Sequence, residues 1–486
     1  MRTLGLYKRL RAARRRAVER KRRRRLRDAR LRLNPERLEP LRLLTVTPTF
    51  TPATGELDIL ITAGGDQTAT VDVTGAMIRV DGANIAAKGA VRSFDVDGDA
   101  GAGQTVVFED PLTVANGVNL TDGIDVAASI ETTQLEADIE TSGGQTYGSD
   151  VILIASVALT ETAGDSITFS GSVNGGHTLT LAVGTGDIVA NGPLGDSTPL
   201  AGVSVNSANS VQFQDSVDTA AGGVDVTSTA SVSFSQAVTT TVGGAVSIDN
   251  GGTLTTAAAA DFTLDGAFLQ NGSGTVSLSG DVTTTNDDVT LQSNVTLGGA
   301  VQIATGGGDV TWQGTVDGSQ TVAITAGTGA VQFAASVGAT TALSGLNVVS
   351  AGTLDFDSTL SAGAQHIDLN STSAITLDGQ VTTTGGGDLT ITNGGGLTQA
   401  ATAAFVLDGA FVQDGSGPLS LSADLSTTGD QVDVASAVTL LADVDVGAGG
   451  GAVRWRGAID GAQQLVVTAG AGAVQFDANV GAITPL

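Results

Sequence analysis

The chain has no cysteine, so neither a disulfide framework nor a thiolate metal site can hold it together. Aromatic residues make up 3% of it, with two tryptophans and two tyrosines, so any core must be mainly aliphatic. Histidine occurs twice, and only five lysines or arginines remain after residue 43. That poverty argues against a main body that binds nucleic acid, because neutralising phosphates takes many cationic side chains. It also leaves few partners for general acid–base chemistry. No run of about 18 apolar residues occurs, so no transmembrane helix is predicted. Glycine, at 67 of 486 residues, falls far short of the one third that a collagen helix needs.

Hydrophobic residues at 41% are sufficient for a packed core, which excludes a wholly disordered chain despite the low complexity. The net charge of −27 is divided very unevenly. Residues 1–43 carry 18 of the 23 basic side chains against four acidic ones, and the rest carries 5 basic and 46 acidic groups. The arm YKRLRAARRRAVERKRRRRLRDARLRL is helix-permissive and is the only part able to bind polyanions. As a targeting segment it would be an enlarged basic leader, although no apolar run of ordinary signal-peptide length follows it.

Internal repetition is the strongest signal. DGAFLQNGSG at residues 265–274 returns as DGAFVQDGSG at residues 408–417, 143 residues on. The same offset places Phe169 on Trp312 and Trp312 on Trp455, and Phe213 on Phe356. A shorter beat of 21 residues links Phe213 to Phe234, Val217 to Val238 and Trp312 to Phe333. Within each beat apolar and polar residues alternate, and Gly, Asn, Asp or Ser interrupts them, which is the pattern of strand, turn, strand. The predicted fold is all-β, a parallel β-solenoid of about 21-residue coils behind the basic arm. An array of immunoglobulin-like sandwiches is the rival, but it gives a 21-residue beat no place. The expected divisions are residues 1–44 as leader, 45–129 as the start or cap of the solenoid, and 130–486 as repeats with an incomplete last copy. The 143-residue unit is expected to make about seven coils, and the body about 20 coils and a rod about 100 Å long. The incomplete copy leads us to expect a longer parent chain or end-to-end association.

Two resemblances add to this reading. RLEPLRLL at residues 37–44 resembles the Leu-Glu-Pro-Arg-x-Leu-Leu signature that follows an arginine-rich leader on large planctomycete-type surface proteins. The matching positions are Leu38, Glu39, Pro40, Arg42, Leu43 and Leu44, with Leu41 standing where the pattern has arginine. This resemblance implies export. GGQTYGSDVILIASVALT and its degraded relative DDVTLQSNVTLGGAVQI resemble the filamentous-haemagglutinin-like β-helix repeats of large bacterial adhesins. That resemblance implies a secreted or surface-displayed stalk whose partner is an extracellular ligand, a glycan or another cell surface.

Candidate chemistry is sparse. Arg79, Lys88, Arg92, Arg454 and Arg456 are the only basic groups of the body, and neither His177 nor His366 recurs in its aligned copy, so no catalytic residues are assigned. Trp312 and Trp455 could stack on sugars, but Phe169 at the equivalent place favours a core rung. Asp95, Asp97 and Asp99 alternate as in calcium loops, while Ala100 replaces the needed glycine. No cofactor is expected, and calcium is the single weak candidate. The function expected is a non-catalytic surface stalk or adhesin. A carbohydrate-active or carbohydrate-binding β-helix and a polyanion-binding rod using the basic arm are the alternatives.

Overall fold

The computed structural model describes residues 45–62, 67–98 and 103–486. The arginine-rich arm, with its motif residues Leu38, Glu39, Pro40, Arg42, Leu43 and Leu44, lies outside the described residues, as does Asp99.

The strands are short because turn residues interrupt them every few positions. Val232–Phe234 and Phe268–Gln270 are typical, three residues long with the outer two buried and the middle one facing out. Valine, leucine and phenylalanine suit this half-buried pleat, where a β-branched or aromatic side chain packs on its neighbours. No such strand can bury its apolar side alone, so each pairs in parallel with the strand one coil further on. Val211 lies beside Val232, Val232 beside Leu254, and Leu254 beside Val276. Three strands make one coil, and the chain is an all-β parallel solenoid of about 17 turns with about 1% helix. At about 4.8 Å per coil, the stack is about 80 Å tall.

Three faces result. One contains a 13-stranded and a 6-stranded sheet, the second a 7-stranded and a 13-stranded sheet, and the third a single 16-stranded sheet. Isolated bridges at Val337 and Leu194 join the parts of the first two. Inside, side chains form rungs: Phe213 stacks on Phe234 at 5.0 Å, and Trp312, Phe333 and Phe356 stack at 5.8 and 4.8 Å. Fully burying one aliphatic or aromatic rung contributes about 1.5–3 kcal/mol.

Two expectations need correction. The coils number about 17 rather than about 20, because the first ones are long. Leu57 pairs with Phe94 and Phe94 with Ile124, spacings of 37 and 30 residues, before the 21-residue beat begins with Ile124 beside Gln145. The extra residues include Gln67–Thr74, Met77–Val80 and Ala83–Ala87, which run antiparallel and begin the second face.

The 143-residue unit is also not a whole number of coils. Twenty strand positions separate Phe169 from Trp312, and twenty separate Trp312 from Trp455, counting the bridges at Leu194 and Val337. At three strands per coil this is six and two-thirds turns. Phe169 therefore lies on the first face, Trp312 on the third and Trp455 on the second. The unit duplicated is the strand with its turn. Each corner of a nearly three-fold cross-section offers the same alternating inward slot, so a copy displaced by one face still buries the same side chains.

Candidate functional surfaces

Aspartates are abundant, and the corners show what they do. Asp138, Asp309 and Asp388 each accept the backbone N–H of a residue one coil on, Ala158, Ala330 and Ala410, at 2.7 Å. Asp288 and Asp424 do the same for Asp309 and Asp445 at 2.8 and 2.9 Å. Such charge-assisted bonds satisfy donors that the turn leaves unpaired. In the repeated decamers, Asp265 accepts from Gly243 and Thr285, and Asp408 from Gly386 and Thr428. Those bonds, the backbone one first, hold both carboxyls below the usual carboxylate range. Much of the acidity thus serves the stack.

The sequence candidates lie far apart in the fold. Asp95 and Asp97 sit two apart on the strand Ser93–Gly98, facing out on either side of buried Val96. A strand cannot wrap a cation as a loop does. Asp95 instead lies in a row between Asp58 and Asp125 of the adjoining coils. Burial and then the neighbouring carboxylates raise its pKa. Among the described residues no group of three or more His, Asp or Glu side chains is placed to hold a metal ion. His177 lies in the corner before Thr178–Ala182 on the third face, and His366 in the corner before Ile367–Ser371 on the second. His366 has φ 67°, the left-handed region, where its aligned counterpart Gly223 has φ 60°. Its Nδ1 accepts the Asp388 N–H at 3.0 Å, so the ring is engaged in the corner. Trp312 and Trp455 are buried rungs, with 0% and 1% of their surface exposed. Arg454 and Arg456 point outward, Arg454 pairing with Asp477 at 2.7 Å and Arg456 with Asp433 and, at 3.7 Å, with Asp414.

A second carboxylate row carries a measurable consequence. Asp355 is half-buried, has one oxygen without a partner, and faces Asp357 and Asp378. Desolvation first, and then those charges, raise its pKa. Ionised Asp355 therefore costs stability at neutral pH, and the cost disappears as pH falls through its raised folded value. Asp355→Asn should raise the melting temperature at pH 7. In calorimetric scans the difference should close as the pH drops toward 4.

One surface feature escaped the sequence reading. Asn271, Gln292 and Gln313 follow the rungs Gln270, Leu291 and Trp312, which are in register on the third face. All three are exposed, and they succeed one another at 21-residue intervals. Their backbone N–H groups donate to Ile248, Gln270 and Leu291, which fixes each Cα in the ladder. They line a shallow groove of about 460 Å³ together with Ser273, Thr275 and Asn294. Nothing charged lines it.

No known protein family, curated protein or solved structure matches the chain. The functional reading therefore rests on the solenoid itself and on places where its copies diverge. At the positions equivalent to Asn271, Gln292 and Gln313, the third copy has Asp414, Ala435 and Arg456, and the first, where the rungs are Val126, Tyr147 and Phe169, has Ala127, Gly148 and Ser170. The inward positions stay buried in all three copies, while the outer row changes its chemistry. Three amides at the coil spacing were the signal available in the sequence. They are hidden there because Asn271 reads as an ordinary turn residue.

Proposed function

We propose that the chain is a non-catalytic structural and adhesive rod displayed at the cell surface. The observation that supports this best is the conserved use of the repeated positions. Phe268 and Phe411 are rungs, and Asp265 and Asp408 are corner acceptors, so repetition perpetuates the stack. A stiff parallel stack separates its ends at a defined distance and offers a long lateral surface, which suits a stalk. The resemblance of residues 37–44 to an export signature supports delivery to the envelope. In this reading the arm is a leader, and the acidic body keeps rods apart in solution.

Cell fractionation with N-terminal sequencing, joined to adhesion of protein-coated beads under flow, tests the proposal. The expected result is mature protein in the envelope or medium, starting beyond the arginine-rich arm, and beads that attach to glycan-coated or cell-coated surfaces. Mature protein retained inside the cell with its arm intact would overturn it in favour of a polyanion-binding rod.

A further inference from the structure

We infer that Asn271, Gln292 and Gln313 form a binding track for an uncharged polysaccharide lying along the rod axis. This deepens the adhesive reading and rests on it for its biological role.

Three observations converge. Among the described residues the side-chain amides of Asn271, Gln292 and Gln313 make no hydrogen bond within the protein, although each sits on a backbone fixed by the inter-coil ladder. Polar side chains elsewhere on the corners are commonly engaged: Asn294, beside the row, accepts the Thr315 N–H at 3.0 Å, and Thr275 pairs with Thr253 at 3.2 Å. Second, the three amides stand one coil apart, about 4.8 Å, in a straight row. That interval is close to the length of one pyranose in an extended chain, so successive sugars could meet successive amides. Third, the row borders a groove large enough for a few sugar rings.

The chemistry selects the ligand class. A carboxamide offers both donor and acceptor, and can take two neighbouring hydroxyls of one sugar. The groove has no cationic group to hold a carboxylate or sulfate, and the acidic body around it repels polyanions. It also has no large apolar side chain to anchor a peptide. Both tryptophans are buried, so binding would come from hydrogen bonds spread over several sugars rather than from stacking.

The third copy tests the logic by contrast. There Asp414 and Arg456 pair across the same row, with Arg456 also bound to Asp433, and Ala435 lies between them. The charges satisfy one another, so the third copy presents no such track.

The full chain titrated calorimetrically with cellohexaose, laminarihexaose and mannohexaose should bind at least one of them in one-to-one stoichiometry. Gln292→Ala should weaken that binding about fivefold or more, the loss of one or two net hydrogen bonds. The triple variant Asn271→Ala, Gln292→Ala, Gln313→Ala should abolish it while melting as the parent does. No binding of any hexaose, or binding undiminished in the triple variant, would overturn the track. Coated beads separate the two readings. If parent and triple-variant beads attach equally, adhesion stands and the track falls. If parent beads attach to nothing while a hexaose binds at this row, the track stands and the adhesive role falls.

Discussion

Trp312→Ala should lower the free energy of unfolding by about 3–5 kcal/mol, the usual loss for a large aromatic removed from a packed core. The indole is fully buried, in register with Leu291 of the coil before, and stacked on Phe333 at 5.8 Å with 10° between the planes. Removing it opens a cavity between coils that contact only their neighbours, so both adjoining interfaces weaken together. Trp312→Phe provides the control. Its aligned counterpart is Phe169, which shows that the slot accepts phenylalanine, and the buried indole N–H has no partner to lose. The phenylalanine variant should stay within about 1.5 kcal/mol of the parent. Urea unfolding followed by far-ultraviolet circular dichroism measures both. Trp455→Ala should cost less than Trp312→Ala although the rung is the same. Phe476 in the next coil is in register with Trp455, but no ring stacking joins the two as it joins Trp312 to Phe333, so Trp455 has one aromatic contact fewer to lose.

The pair of tryptophans shows how far the sequence could be read. The Phe169 match placed Trp312 and Trp455 inward, and the structure agrees because a strand has a period of two and nothing in these short segments breaks it. The 21-residue beat predicted the coil, since stacking in register repeats the inward pattern once per turn. The rotation of copies around the rod was hidden. A sequence offset shows that two residues occupy equivalent slots, but three similar slots in each coil make the choice of face invisible without counting strands. The long first coils were hidden too, because their antiparallel strands alternate just as parallel ones do. The aspartates read as solvated turns, and their role as acceptors for the next coil depends on residues about 21 positions away. The amide row was visible as a spacing, but only its unpaired state in the fold separates it from a corner.

The repeated decamer bears the other large effect, at the unchanged residue between the two that vary. Gln413→Met should destabilise by about 2–5 kcal/mol, from orphaned buried partners at about 1–3 kcal/mol each. Gln413 lies two residues after the Phe411 rung and is 1% exposed, so its amide points into the corner of the stack. Its nitrogen donates to Asn393 Oδ1 at 2.7 Å and to the Gly415 carbonyl at 3.0 Å. Its oxygen accepts the Ser436 N–H and hydroxyl, both at 3.1 Å, from the following coil. Asn393 in turn donates to the carbonyls of Gly395 and Gly417 at 2.7 and 3.1 Å. Three coils are therefore tied by one buried amide chain, and Asn250 and Gln270 make the same link in the earlier copy. Glycine closes the corner because there is no room for more. A Cβ on Gly417 would stand 1.6 Å from the Gly395 carbonyl oxygen, and one on Gly274 equally close to that of Gly252. Methionine fills the volume of Gln413 but leaves Asn393 Oδ1 and the Ser436 N–H without partners in a dry corner. Replacing Asn393 by leucine in the same molecule should cost less than the two single losses together, with a coupling of about 0.5–3 kcal/mol. Asn271→Asp, which writes the third copy's residue into the second, should change stability by no more than about 0.5 kcal/mol, because that side chain faces water. The decamer thus carries two kinds of information. Its inward Gln and glycines are repeated because the corner cannot close without them, and its outward Asn is free to become an acid or a ligand contact.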